Sequence, residues 1–243
     1  MKVLLLGGTA EARQVAALLV AEPGVEVVSS LAGRTLEARL PEGAVRQGGF
    51  GGVPGLVDWL RAESVDAVVD ATHPFAATMT AHAVAATASI GLPLLVLRRP
   101  GWREKPGDRW VWVDSAAEAA AVLRSLGARA FLTIGRQGLG AFADAGVWML
   151  ARCVDAPTPR PAWCELILDR GPYELAGELD LLRRHRIDVL VTKDSGGDLT
   201  AAKLEAARKV GIPVVVIRRP LLPDGVRTVA SADQVVGWLR DHR

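Results

Sequence analysis

An internal repeat constrains the fold of this chain more than any other feature of its sequence. The segment GLPLLVLRRP at 91–100 matches GIPVVVIRRP at 211–220 at six of ten positions, and the other four are aliphatic exchanges. Three further pairs keep the same order along the chain: 3–9 with 131–137, 65–75 with 187–197, and 113–123 with 229–239. Four pairs in order indicate that one fold occurs twice.

Each half alternates apolar runs with amphipathic stretches. The first half predicts strands at 3–6, 25–28, 65–69 and 93–97, and helices at 10–20, at 56–62 and from Pro74 to about 89. Such alternation indicates parallel sheets with helices on both faces. We therefore expect an α/β protein of two Rossmann-like parallel-sheet domains related by the repeat, with the active site in the cleft between them.

The repeat also predicts the domain boundaries. A nucleotide-binding domain is expected at 1–123 and a substrate-facing domain at 127–243, with a hinge within about 98–128, where RRPGWREKPGDRW lies. The sequence leaves open whether a terminal element crosses between the halves.

Charge, cysteine content and the N-terminus exclude several classes of protein. A net charge of +2 is too small to argue for nucleic acid, and Cys153 and Cys164 lack metal-ligand spacing. The apolar run at 3–6 is too short for a signal-peptide core or a membrane span. We expect a cytoplasmic protein with no metal, nucleic-acid or membrane partner, and the oligomeric state stays open.

The unusual residues lie where ligands of open parallel sheets bind, beyond the carboxyl ends of the strands. Gly7, Gly8, Thr9 and Ala10 follow the first strand and open the first helix, where free amides favour a pyrophosphate. The match to GxGxxG is poor, and a simple turn is the alternative. The position of this loop on the first strand of the chain favours nucleotide binding.

The loop after the second strand indicates which nucleotide binds. An NAD site usually has an acidic residue there for the ribose diol, whereas this chain has Ser29, Ser30 and then Arg34. Hydroxyls and a guanidinium suit a 2′-phosphate, although a polar loop with a solvated arginine is the alternative. We predict that NADPH is preferred over NADH, with Arg34 as the main phosphate partner.

Two residues are candidates for catalysis. His73 lies in a predicted ligand loop at a strand end, and a structural role is an equally good interpretation. Asp194 lies in the glycine-rich loop 192–197, whose amides could face an anion and whose acid could donate a proton. The alternative is that Asp194 caps a helix beginning near 198.

Six segments together resemble the precorrin-6A reductases of cobalamin biosynthesis: GGTAEAR at 7–13, SLAGRT at 30–35, GGFGG at 48–52, DATHPFA at 70–76, TIGRQG at 133–138 and TKDSGG at 192–197. The resemblance covers essentially the whole chain in order, and DATHPFA and TKDSGG are its most specific parts. It implies an enzyme of two domains that uses NADPH to reduce a double bond of precorrin-6A, giving precorrin-6B. A cobalt-containing substrate is an alternative, since that metal would belong to the substrate.

The resemblance and the loop positions together give a set of site residues. The cofactor is expected to contact Gly7, Gly8, Thr9, Ala10, Ser30, Arg34, Thr72, His73, Pro74 and Phe75. The tetrapyrrole substrate is expected to contact Arg136, Gln137, Lys193, Ser195, Gly196 and Gly197. Further arginines, among them Arg99 and Arg152, could bind its acetate and propionate arms. Trp102, Trp110 and Trp112 could offer apolar faces or simply pack.

Three other classes of protein account for less of the sequence. A non-catalytic NADP-binding regulator would need the loops of the first half but not those of the second. A short-chain dehydrogenase needs a Tyr-x-x-x-Lys pair, whereas the only tyrosine, Tyr173, is followed four residues on by Gly177. A two-domain glycosyltransferase would share the architecture but would not explain the segment at 70–76.

Overall fold

The described chain, residues 1–33 and 40–242 of a computed structural model, forms two compact units. Unit 1 comprises Met1–Pro100 and Pro220–Arg243, and unit 2 comprises Gly101–Arg219. Within these residues no helix is long and apolar enough to cross a membrane.

Strands and helices alternate along the chain, as the apolar pattern predicts. The strands are β1 (Lys2–Leu6), β2 (Glu26–Leu31), β3 (Ala44–Gln47), β4 (Ala67–Asp70), β5 (Leu94–Leu97), β6 (Trp110–Val113), β7 (Arg129–Thr133), β8 (Trp148–Cys153), β9 (Glu165–Leu168), β10 (Val189–Lys193), β11 (Val214–Ile217) and β12 (Thr228–Val229). The α-helices are α1 (Ala10–Val20), α2 (Gly52–Ala62), α3 (Ala77–Ile90), α4 (Ala116–Leu126), α5 (Leu175–Arg184), α6 (Ala202–Val210) and α7 (Ala232–Arg240), and a 3-10 helix spans Arg136–Phe142.

Unit 1 is built on a parallel sheet whose strand order, over the described residues, is β12-β5-β4-β1-β2-β3. Successive residues of β1 face opposite sides of this sheet and are buried on both. Val3 and Leu5 belong to the core under α1 and α7, and Leu4 and Leu6 to the core under α2 and α3. Helices on both faces explain why β1 is continuously apolar rather than alternating.

Unit 2 repeats the arrangement with the order β6-β11-β10-β7-β8-β9, all parallel over the described residues. Phe131 on β7 and Leu150 on β8 lie in its core beside Leu204 and Ala207 of α6. Trp102, Trp110 and Trp112 pack against the same core, which favours the packing interpretation of these side chains. The expected fold class, two parallel-sheet α/β domains, is confirmed, and the cleft between them stays a prediction.

The repeat maps strand for strand between the sheets, but its last strand and helix are exchanged. β6 and α4 follow the first half in sequence yet lie in unit 2, while β12 and α7 end the chain and complete unit 1. Backbone hydrogen bonds hold β12 against β5: Val96 N donates to Arg227 O at 3.0 Å, and Arg98 N donates to Val229 O at 2.8 Å. The predicted ranges 1–123 and 127–243 therefore need correction, and a terminal element does cross.

Two smaller differences between the predicted and the observed elements have local causes. The apolar pattern does not predict β3 and β9, because both are half-exposed four-residue strands at sheet edges. The helix expected from Pro74 begins at Ala77, because residues 71–76 form a loop held by the carboxylate of Asp70.

Candidate nucleotide and substrate sites

The strand order of unit 1 reverses at β1, and ligands of open α/β sheets bind at such a point. The chain runs from β1 outward to β2 and β3, then returns to β4 on the other side of β1. The glycine loop 7–9 follows β1, and the loop 71–76 follows β4. The structure thus brings two predicted cofactor-binding segments, residues 7–10 and 72–75, to neighbouring strand ends.

Thr9 links these two loops through its side chain. It caps α1, where its Oγ1 accepts a hydrogen bond from Ala12 N at 3.0 Å, and the same hydroxyl donates to Ala71 O at 2.9 Å. Thr9 is 8% exposed, so both bonds are shielded from water. One hydroxyl therefore fixes the start of the helix against the segment that follows β4.

The glycine loop is open to a ligand at Gly8. Gly7 N donates to Ser30 O at 2.9 Å, which ties the loop to β2. Gly8 has φ +112°, and a Cβ at this position would meet no heavy atom within 4 Å among the described residues. The first-turn amides of α1 lie beside this opening, so the arrangement fits the pyrophosphate of a dinucleotide. Glu11 in that turn is ion-paired with Arg99 at 2.6 Å.

Asp70 organises the loop that contains His73. Its buried carboxylate accepts hydrogen bonds from Thr72 N (2.9 Å), Thr72 Oγ1 (2.7 Å) and Thr80 Oγ1 (2.6 Å). His73 itself is exposed, and its Nδ1 accepts from Phe75 N at 3.2 Å. A neutral His73 therefore carries its proton on Nε2, assigned from this hydrogen bond. Sequence reasoning assigned no role to Asp70.

Ser30 is engaged by Arg46. Ser30 Oγ accepts from Arg46 Nη1 at 2.8 Å, and the same guanidinium donates to the carbonyls of Gly48 and Gly49 and lies 3.8 Å from the ring centroid of Phe50. Burial lowers the pKa of Arg46. Arg46 thus holds the GGFGG segment against β2. The predicted phosphate partner Arg34 lies outside the described residues.

The order of the second sheet reverses between β7 and β10, and the predicted substrate residues gather at that edge. Thr133 Oγ1 donates to Val191 O at 2.9 Å and joins the two strands just before their loops. Arg136 and Gln137 follow β7 after Gly135, while Lys193, Ser195, Gly196 and Gly197 end or follow β10. Burial lowers the pKa of Lys193.

Asp194 is held by residues near the two ends of the unit 2 segment, Gly101–Arg219. Its Oδ1 accepts from Trp102 N at 2.9 Å, and its Oδ2 lies 3.0 Å from Arg219 Nε, which also donates to Asp194 O. Trp102 and Arg219 lie next to the two points where the chain passes from one unit to the other. The helix-cap alternative is wrong, because α6 begins at Ala202 after an Ala201 cap. A proton-donating role for Asp194 stays a prediction.

A buried charged cluster lies in unit 2. Arg152 forms a two-pronged ion pair with Glu178 at 2.5 and 3.1 Å and stacks 3.6 Å from the ring centroid of Tyr173. Arg152 is therefore not available to a substrate carboxylate, contrary to expectation, and Arg99 is paired with Glu11.

Lys203 adds a third buried charge to this cluster. It is 4% exposed, and burial, with a smaller contribution from Arg152, lowers its pKa to about 7. Its ammonium lies 5.0 Å from the ring centroid of Trp102. The helical spacing of Lys203 with Ala207, on the face that packs against the sheet, is the sequence signal that indicates this burial.

Comparisons of the sequence and of the structure with known proteins point to the same family. The model of the precorrin-6x reductase CbiJ/CobK family matches residues 2–240. Precorrin-6A reductases of Rhodococcus erythropolis and Mycobacterium tuberculosis H37Rv are 54% and 55% identical, each match covering 98% of this chain and 97% of the relative. The cobalt-precorrin-6A reductase of Priestia megaterium is 27% identical over 92% of both chains. A solved CobK precorrin-6A reductase superposes with a TM-score of 0.92, 44% identity and coverage of 100% of this chain and 97% of its own.

Proposed function

The chain belongs to the precorrin-6x reductase family, and from that premise we propose that it uses NADPH to reduce a double bond of precorrin-6A, giving precorrin-6B in cobalamin biosynthesis. It is an oxidoreductase of this pathway. The observation that carries the choice of substrate is the identity: 54–55% to relatives named for precorrin-6A, against 27% to one named for the cobalt form. The metal-free macrocycle is therefore the substrate, and its cobalt form is the second candidate.

Unit 1 binds the cofactor in this proposal. NADPH, when bound, supplies the hydride. The first-turn amides of α1 hold its pyrophosphate, Gly8 leaves room for close approach, and Thr9 keeps the loop in place. Thr72–Phe75 borders the same strand ends and orients the rest of the cofactor. The hydrogen bonds of Asp70 support this role, because they preorganise that loop before any ligand arrives.

Unit 2 binds the macrocycle. Its acetate and propionate arms are anions, and the loops after β7 and β10 offer Arg136, Lys193 and the hydroxyl of Ser195. Gly196 and Gly197, with φ of +65° and +73°, leave the backbone of that loop without side-chain cover, so its amides also serve carboxylates. Gln137 is exposed and adds a neutral donor.

Reduction of a carbon–carbon double bond requires a proton as well as a hydride. His73 and Asp194 are the candidate catalytic residues. His73 is exposed, and its Nδ1 accepts a hydrogen bond from Phe75 N. To deliver a proton it would have to release that bond and become an imidazolium, because a neutral imidazole is too weak an acid. Asp194 faces hydrogen-bond donors on both oxygens, which supports a positioning role for its carboxylate.

The proposal is tested by anaerobic turnover of purified precorrin-6A and of its cobalt form with NADPH, followed optically. We expect reduction of the metal-free macrocycle, and a higher KM for it in Arg136→Ala than in the unmodified protein. Arg183→Ala, an exposed arginine of the last turn of α5, is the matched control. Reduction of the cobalt form alone would show that the cobalt form is the substrate, and no reduction of either macrocycle would contradict the proposed function.

A further inference from the structure

The two copies of the repeat differ at the residues that follow their matched segment. After the shared RRP, the first copy continues with Gly101-Trp102 and the second with Leu221-Leu222. Leu221 is 95% exposed, whereas Gly101 and Trp102 lie against the loop 192–197 of unit 2. We infer that Trp102 is a positioning residue, whose two N–H groups hold this loop in the conformation that binds the macrocycle. The inference rests on the proposed function, because it takes this loop as part of the substrate site.

The backbone of Trp102 holds the side chain of Asp194. Trp102 N donates to Asp194 Oδ1 at 2.9 Å. Residue 101 has to be small for this contact, since a Cβ on Gly101 would lie only 2.6 Å from Asp194 Oδ2. The same oxygen is paired with Arg219 Nε at 3.0 Å, so the carboxylate is held from a second side. Gly101 therefore admits the carboxylate to the backbone of Trp102.

The indole of Trp102 holds the glycines of the loop. Its Nε1 donates to Gly197 O at 2.9 Å. Gly196 and Gly197 have φ of +65° and +73°, and adjacent glycines have many accessible conformations, so a bond from outside the loop helps to select one of them. The two N–H groups of one residue thus fix the loop at both Asp194 and Gly197.

Trp102 is itself fixed by the core of unit 2. Its indole packs against the cluster that contains Leu204 of α6, and the ammonium of the buried Lys203 lies 5.0 Å from the ring centroid. A donor on a packed aromatic ring has a defined direction, because the rotamer is locked by its neighbours. The loop is therefore ordered before the macrocycle arrives, which lowers the entropic cost of binding.

The same core contains two tryptophans that serve as matched controls. Trp112 Nε1 donates to Oε1 of the exposed Glu104 at 2.7 Å. Trp110 Nε1 is buried and has no hydrogen-bond partner in the part of the chain that the structure describes. Trp110→Phe and Trp112→Phe therefore remove an indole N–H from similar packing without a direct loss to the loop 192–197.

Hydrogen exchange followed by mass spectrometry tests the two bonds in the full chain without ligand. Trp102→Phe keeps the backbone bond to Asp194 and most of the packing but loses the bond to Gly197 O. We expect amide exchange in peptides covering 194–199 to be about threefold to tenfold faster in Trp102→Phe, and to change less than about twofold in the two control variants. Loop exchange in Trp102→Phe equal to that of the unmodified protein would overturn the inference.

Steady-state turnover of precorrin-6A with NADPH tests the consequence for the substrate. We expect the KM for the macrocycle to rise about threefold to tenfold in Trp102→Phe, as for the loss of one hydrogen bond, while kcat and the Kd for NADPH change less than about twofold. Both control variants should keep the KM of the unmodified protein. An equal rise in all three variants would assign the effect to the core and overturn the inference.

Gly101→Ala is a second variant that acts on the same loop through Asp194. Its added Cβ displaces the carboxylate and leaves the indole in place, so kcat/KM should fall at least about threefold. Thermal unfolding confirms that each variant is folded at the assay temperature. An unchanged kcat/KM in both Gly101→Ala and Trp102→Phe would show that the position of the loop does not matter to the substrate. No turnover by the unmodified protein would instead contradict the proposed function.

Discussion

Replacement of Thr9 by alanine removes both hydrogen bonds of its hydroxyl, and the two losses have different costs. The bond accepted from Ala12 N is an ordinary helix cap, whose loss costs about 1 kcal/mol. The bond donated to Ala71 O joins the glycine loop to the loop after β4. Ala71 is 1% exposed, so its carbonyl would be left buried and unsatisfied at a further cost of roughly 1–2 kcal/mol.

The chain offers a matched control for the cap alone. Ser115 caps α4 by accepting from Glu118 N at 3.1 Å, and it is not buried. We expect the free energy of unfolding to fall by about 1 kcal/mol in Ser115→Ala and by about 2–3 kcal/mol in Thr9→Ala. Thr9→Ser keeps both bonds and should lose less than about 1 kcal/mol.

Urea unfolding measures these free energies, and titration with NADPH measures the consequence for the site. Thr9→Ala should also weaken NADPH binding, because the two loops lose their link, whereas Ser115→Ala should not. Equal destabilisation by Thr9→Ala and Ser115→Ala would show that the bond to Ala71 contributes nothing, and the account of the loop junction would be wrong.

Three further predictions concern single side chains. Lys203→Met should change the pH dependence of stability. The unfolded chain holds the lysine proton up to about pH 10.5, whereas the folded chain holds it only up to about pH 7. Between these values the free energy of unfolding of the unmodified protein should therefore rise by roughly 1.4 kcal/mol per pH unit relative to that of the variant. If the free energies of unfolding of the unmodified protein and of Lys203→Met differed by the same amount at every pH from 7 to 10, this prediction would be wrong. Asp194→Ala, which removes the carboxylate that accepts from Trp102 N and pairs with Arg219, should lower turnover while the Kd for NADPH stays within a few fold, and an unchanged rate in steady-state assays would exclude a role in the reaction. Arg34→Ala should raise the Kd for NADPH about tenfold to hundredfold and leave NADH binding unchanged in calorimetry, whereas equal losses would assign Arg34 to the pyrophosphate or the fold.

The sequence predicts the parallel sheets and the ligand edge because these follow from local patterns. β1 is an apolar run that ends in glycines, and such a run predicts both a buried strand and the loop after it. The sequence predicts that the loops 133–138 and 192–197 serve one site, and the sheet order shows that the strands before them, β7 and β10, are neighbours.

The exchange of the last strand and helix could not be predicted from local patterns. The segments 113–123 and 229–239 resemble each other, so either is compatible with either sheet. The hydrogen bonds of β12 to β5, and the packing of α7 against α1, decide the pairing, and these are contacts between distant parts of the sequence. Asp194 and Lys203 also contact a residue that is distant in the sequence, Trp102, so local patterns do not predict these contacts either.

Transfer of an isotope label tests the central claim most directly. NADPH carrying deuterium at the transferable position of C4 is incubated anaerobically with the protein and precorrin-6A in ordinary water, and the product is examined by mass spectrometry. The account predicts one deuterium in each molecule of reduced macrocycle, with the second hydrogen taken from exchangeable protons. The control is NADPH labelled at the opposite C4 position. If neither labelled cofactor gave a reduced macrocycle that contains deuterium, direct hydride transfer from this cofactor would be contradicted.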